Sequence, residues 1–134
     1  MRLRLSAAAL VLALSACSGG PSARNIRLTP EEERILRPLA EPPDRVRRLV
    51  AEGDELFLQG IPPFRASDPE TGADWARELP VAMDCYTRAR RAYLTAQSEY
   101  PSPQPVPPPL LDRVRECVMR IAALSKRQHS TPRK

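Results

Sequence analysis

Sixteen prolines spread over a 134-residue chain set the first limit on what it can fold into. Proline lacks an amide N–H, and its ring strikes the carbonyl four residues back, so it costs about 3 kcal/mol or more inside a helix. In a central strand it removes a ladder hydrogen bond. Long uninterrupted elements are therefore disfavoured. Besides Pro21, Pro30 and Pro132, the prolines fall at 38, 42 and 43, at 62 and 63, at 69, at 80, and six times from 101 to 109. Between them lie stretches in which apolar residues recur every three or four positions, the period of an amphipathic helix.

The spacing of Val46, Leu49, Val50, Leu56 and Phe57 predicts a helix over 44–59, with Arg45, Arg47, Arg48, Glu52 and Glu55 on its other face. Gly60 reads as its C-cap. Gly53 costs about 1 kcal/mol in mid-helix, so it marks a close helix contact. A helix over 80–99 carries Ala82, Cys85, Tyr86, Ala89, Tyr93 and Ala96 inward and leaves Arg88, Arg90 and Arg91 off the stripe. The clearest pattern, over 110–126, puts Leu110, Leu111, Val114, Cys117, Val118, Ile121 and Leu124 inside and Arg113, Arg115, Glu116 and Arg120 outside. A short first helix starts at Thr29, with Pro30 in its first turn and Glu32 placed for a capping box. Ile35, Leu36 and Leu39 are its inward residues.

The expected fold is all-α, a small helical bundle over 29–126. Residues 61–80 read as an irregular Pro-rich insert with a short helical piece over 73–79. Residues 100–109 read as a stiff polyproline connector, and 127–134 as a disordered tail. The insert holds Phe64 and Trp75. Two readings of these rings stand side by side: a lid over the core, or an exposed contact site. With Tyr86 and Tyr93 they are the candidate partner contacts.

Composition excludes most chemistry. The chain has one His, His129, near its end, and three Cys without ligand spacing, so no metal site is expected. The five Gly are scattered, and no phosphate-binding loop exists. Carboxylates such as Asp84 and Glu116 lie beside arginines on helices, where solvated ion pairs are the ordinary outcome. No nucleophile has a base beside it. No catalytic residue and no cofactor are expected, and the chain is not read as an enzyme.

The N-terminus reads MRLRLSAAALVLALSAC. Arg2 and Arg4 precede a ten-residue apolar run over 5–14, the length of a signal-peptide core and too short to span a bilayer stably. Leu14, Ser15, Ala16 and Cys17 follow. This segment resembles the signal peptide and lipobox of bacterial lipoproteins. The resemblance covers 1–17 and implies cleavage after residue 16, acyl chains on Cys17, and a flexible tether over 17–28. Ser18, rather than Asp, follows Cys17, which implies the outer membrane in a Gram-negative cell. Two or three acyl chains anchor durably, because each buried methylene contributes about 0.8 kcal/mol. Removing Arg2 and Arg4 takes the 21 basic residues to 19 against 16 acidic, a net charge of +3. Exported chains do not meet nucleic acid, so none is expected as a partner.

With Cys17 lipidated, Cys85 and Cys117 remain as a pair in an oxidising compartment. Both lie on predicted apolar faces, and a disulfide between them is expected. It would close a loop of about 33 residues and stabilise the domain by roughly 3–4 kcal/mol.

Residues 53–60 read GDELFLQG, and 82–89 read AMDCYTRA. These resemble the two helices of a tetratricopeptide repeat, in which small residues permit close packing and an aromatic fills the gap. Gly53, Leu56, Gly60, Ala82, Tyr86 and Ala89 match that pattern. The resemblance implies a helix hairpin that binds protein.

The function expected from these features is a lipid-anchored, non-catalytic helical adaptor or assembly factor of the bacterial cell envelope. It would bind an envelope protein, in the manner of the small lipoproteins called pilotins. The alternative is a structural lipoprotein touching lipopolysaccharide or peptidoglycan through its arginines.

Overall fold

The computed structural model describes residues 26–101 and 104–129. The expected signal peptide, Cys17 and the first part of the expected tether lie outside the described residues, as do positions 102, 103 and 130–134. Four helices make up the fold: α1 (Pro30–Ile35), α2 (Asp44–Ala66), α3 (Trp75–Ser98) and α4 (Pro108–His129). No strand occurs among the described residues, and the domain is the expected small helical bundle. The main interface is between α2 and α3, which run antiparallel. α4 turns back along α3, and α1 rests against α4.

The first helix starts as its sequence suggests. Thr29 Oγ1 accepts from the Glu32 amide at 3.1 Å, and Glu32 Oε1 accepts from the Thr29 amide at 2.9 Å. This reciprocal box satisfies two of the amides that a helix start leaves without partners.

The prolines break less than expected. α2 does not stop at Gly60; it continues through Pro62 and Pro63 to Ala66. α3 begins at Trp75, absorbs the short piece over 73–79 and carries Pro80 in its second turn. The irregular part of the insert is thus confined to 67–74. Packing explains the difference. Phe57, Gly60, Ile61 and Phe64 keep the helical period across the prolines, and Ile61 is fully buried. Ahead of Pro80, Leu79 joins the core in phase with Ala82 and Tyr86. Burial of each such side chain is worth about 1.5–3 kcal/mol, so several buried together offset the cost of the prolines.

Glycines set the spacing of α2 and α3. A Cβ on Gly53 would lie 2.4 Å from Tyr93 Cε1, and one on Gly60 would lie 2.9 Å from Tyr86 Cε2. Real Cβ atoms do not approach so closely, so the bare backbone of α2 lets the two rings lie flush against it.

The face of α4 is turned from the one its sequence suggests. Leu110, Arg113, Cys117, Arg120 and Leu124 are buried, whereas Leu111 and Val118 are exposed. Arg113 and Arg120, expected outside, are core residues. The tail is also shorter than expected. Helix α4 reaches His129, and Arg127 is tied to α2, with Nη1 donating to the Phe64 carbonyl at 2.8 Å and to Ser67 Oγ at 2.6 Å.

Candidate functional site

Two buried arginines, seven residues apart on α4, organise the interior in two tiers. Each tier takes a glycine from α2, a tyrosine from α3 and an arginine from α4. The spacing is seven on all three helices: Gly53 and Gly60, Tyr86 and Tyr93, Arg113 and Arg120. Seven residues are nearly two turns, so each set stays on one face.

The first tier floors a groove. Arg113 is 1% exposed, and its Nε donates to Asp54 Oδ1 at 2.8 Å while Nη2 donates to Asp54 Oδ2 at 3.2 Å. The Tyr93 hydroxyl donates to the same Oδ1 at 2.5 Å. Burial and the adjacent Asp54 push the Tyr93 hydroxyl well above its usual range, so it stays a donor. Above this floor opens a cavity of about 390 Å³. Leu36, Pro38, Leu39 and Pro42 of the segment joining α1 to α2 form one wall. Val50, Ala51 and Arg47 of α2 form the other. The segment turns at Glu41, whose φ of 41° is in the left-handed region.

The second tier ties α1 down. Arg120 Nη2 donates to Glu32 Oε2 at 2.9 Å, Nε to Glu116 Oε2 at 2.8 Å and Nη1 to the Tyr86 hydroxyl at 2.9 Å. Three rings surround its guanidinium: Phe64 at 4.7 Å, Phe57 at 4.9 Å and Tyr86 at 5.4 Å from their centroids. Arg65 adds a second cation, 2.9 Å from Glu32 Oε1. Burial works against ionisation of Glu32, yet the Thr29 amide and the Arg120 guanidinium prevail and hold its carboxyl below the usual range. Both arginines are held bidentately or by several acceptors, the strong form of a charged hydrogen bond.

Most of the aromatic candidates are structural. Tyr86 and Tyr93 are fully buried, so neither is a partner contact; both are spent on the tiers. Phe64 lies within α2, edge-on to Tyr86 at 5.8 Å and capped by Arg127 at 4.5 Å. Trp75 opens α3. Both are half-buried and packed on the core, as a lid would be.

The expected staple is not formed either: Cys85 and Cys117 are free, buried thiols. They face different neighbours. Cys85 turns toward α2, where a Cβ on Gly60 would lie 3.0 Å from its own Cβ. Cys117 lies on the inner face of α4, among the groups around Arg120 and Asp54. Burial pushes the Cys85 thiol up and the Cys117 thiol up to about 12, so both stay protonated at neutral pH.

Sequence reasoning missed Asp54, Arg113, Glu32 and Arg120 as site residues. One signal was available: Arg113 and Arg120 share a face with Cys117 and Leu124. No family model, curated protein or solved structure matches this chain.

Proposed function

We propose that this chain is a lipid-anchored, non-catalytic adaptor or assembly factor of the bacterial cell envelope, and that the groove above Arg113 receives an apolar segment of a partner protein. The groove carries this reading. Its walls are leucine, proline, valine and alanine with one arginine, Arg47, which is paired with Asp44, and the charges at its floor neutralise each other within the domain. A paired floor favours binding over chemistry, because the charge is already committed to a partner. The glycine-to-tyrosine contacts of α2 and α3 support the tetratricopeptide-like reading of this hairpin. Leu14, Ser15, Ala16 and Cys17 support the anchor, and Ser18 supports the outer membrane.

The test is a photo-crosslinking amino acid at Ala51, an exposed position on the groove wall, in intact cells. The expected result is one envelope protein joined to the lipidated chain and lost when Cys17→Ala frees it from the membrane. No specific adduct from Ala51, or the same adduct from an exposed position on α3, overturns the groove as the binding site. Membrane fractionation of Cys17→Ala reads the anchor separately: the variant should be soluble, and continued sedimentation with membranes refutes lipidation at Cys17.

A further inference from the structure

We infer that the side of the α3–α4 pair turned away from α1 and α2 docks onto an anionic phospholipid surface. Around α4, Arg113 and Arg120 point toward α2 and α1, and Leu110, Cys117 and Leu124 are buried in the core. Further round lie Leu111 and Val118, 40% and 45% exposed. Around α3, the same progression leads past Tyr86 and Tyr93 to Arg90, Arg91 and Leu94. The helices are antiparallel, so the two strips meet on one side of the molecule.

That side is cationic and apolar together. Arg90 and Arg91 form no ion pair among the described residues. With the Thr87 hydroxyl they line an open depression of about 350 Å³, which Leu94 and Ser98 also border. On α4, Arg115 follows Leu111 by one turn, its side chain 73% exposed and 3.9 Å from Asp112. The carboxylates of α4 are drawn to the opposite side: Asp112 by Arg37 at 3.1 Å, Glu116 by Arg120 at 2.8 Å. Of the acids along α3, Asp84 is paired with Arg88, and Glu99, which caps the helix beside Ser98, is paired with Arg45 of α2 at 3.1 Å.

Guanidinium groups suit phosphodiesters, and long arginine stems let the charge stay at headgroup level while leucine and valine enter the interface. A protein partner of matching chemistry would need acidic residues interleaved with apolar pockets, whereas a phospholipid surface offers both everywhere. The lipid-anchored reading lets this side reach such a surface: the tether joins the domain at α1, on the other side, but Cys17 is twelve residues from Thr29, a span of up to about 40 Å that leaves the domain free to turn. The inference rests on that reading for its setting alone, since affinity for lipid belongs to the domain itself.

The experiment uses residues 17–134 with Cys17→Ser, so that no acyl chain contributes. The packed core of the described residues lies between Ile26 and Leu124, within this span. Co-sedimentation is measured with phosphatidylcholine vesicles, with and without phosphatidylglycerol, at low and high salt. Binding is expected to the phosphatidylglycerol vesicles at low salt and to weaken with salt. Arg90→Gln with Arg91→Gln should weaken it about thirtyfold, about fivefold for each cation at such a surface. Arg45→Gln with Arg48→Gln on α2 removes the same charge elsewhere and should change it less than about twofold. Leu111→Ser with Val118→Ser, both exposed, should also weaken binding with helical content unchanged. Equal losses in the two arginine pairs, or no preference for phosphatidylglycerol, overturn the proposal. So does saturable uptake of inorganic phosphate by calorimetry without vesicle binding, which would mark a small-anion site. A failure here leaves the Cys17→Ala fractionation result untouched, and the reverse also holds.

Discussion

Gly53→Ala should destabilise this domain although alanine is the better helix former. The exchange gains about 1 kcal/mol in helix propensity. The new Cβ, however, would lie 2.4 Å from Tyr93 Cε1 and 2.9 Å from Cζ. The ring has no room to swing away, because it is fully buried and its hydroxyl is held by Asp54. Moving it gives up a hydrogen bond to a charged group, worth about 1.5–3 kcal/mol, and adds overpacking strain of about 1–3 kcal/mol. The net loss is about 1.5–5 kcal/mol. For a domain of this size that lowers Tm by roughly 7–25 °C, at about 5 °C per kcal/mol. Urea unfolding followed by far-ultraviolet circular dichroism measures it. The clash is also specific to the ring, so Gly53→Ala should cost less in a Tyr93→Leu background, with a coupling energy of about 1 kcal/mol or more. A Gly53→Ala protein as stable as the wild type, or additive effects in the double variant, would refute the close contact of α2 and α3 at this point.

Glu32→Gln should cost about 1.5–3 kcal/mol at neutral pH, since it takes a charged acceptor from Arg120 and Arg65 and leaves Arg120 with Glu116 as its acid partner. Because the folded pKa of Glu32 lies below its ordinary 4.5, its stabilisation is present above that value and is lost as pH falls through the lowered one. The acid limb of a stability–pH curve should therefore flatten in Glu32→Gln; an unchanged limb would count against the Arg120 network. Cys85 and Cys117 should resist a thiol reagent in the native protein and titrate as two thiols once unfolded without reductant. Silence after unfolding would show that they are joined.

Much of this architecture is legible along the chain. The three-and-four spacing of apolar residues locates the three long helices, because one buried stripe per helix is what a small bundle requires. The Thr29 box and the Gly53 contact can be read the same way, since each follows from local chemistry. Helix ends were not legible at the prolines. Local propensity counts the lost amide at Pro62, Pro63 and Pro80 but not the burial of Ile61 and Leu79 just ahead of them.

The arginines of α4 mark the clearest division between sequence and tertiary structure. A charged side chain on a helix is ordinarily solvated, and the one local difference between Arg113 and Arg115 is that Arg113 shares a face with Cys117 and Leu124. What separates them is the company that folding brings from distant positions. Asp54 lies 59 residues from Arg113, and Glu32 lies 88 residues from Arg120. A buried guanidinium is tolerated only when its acceptors are in place, and those acceptors come from other helices. The sequence alone determined that this chain would be a small bundle of helices behind a lipobox-like start. Only the tertiary structure decided which side of α4 faces inward, and thereby which leucines, valines and arginines were left at the surface.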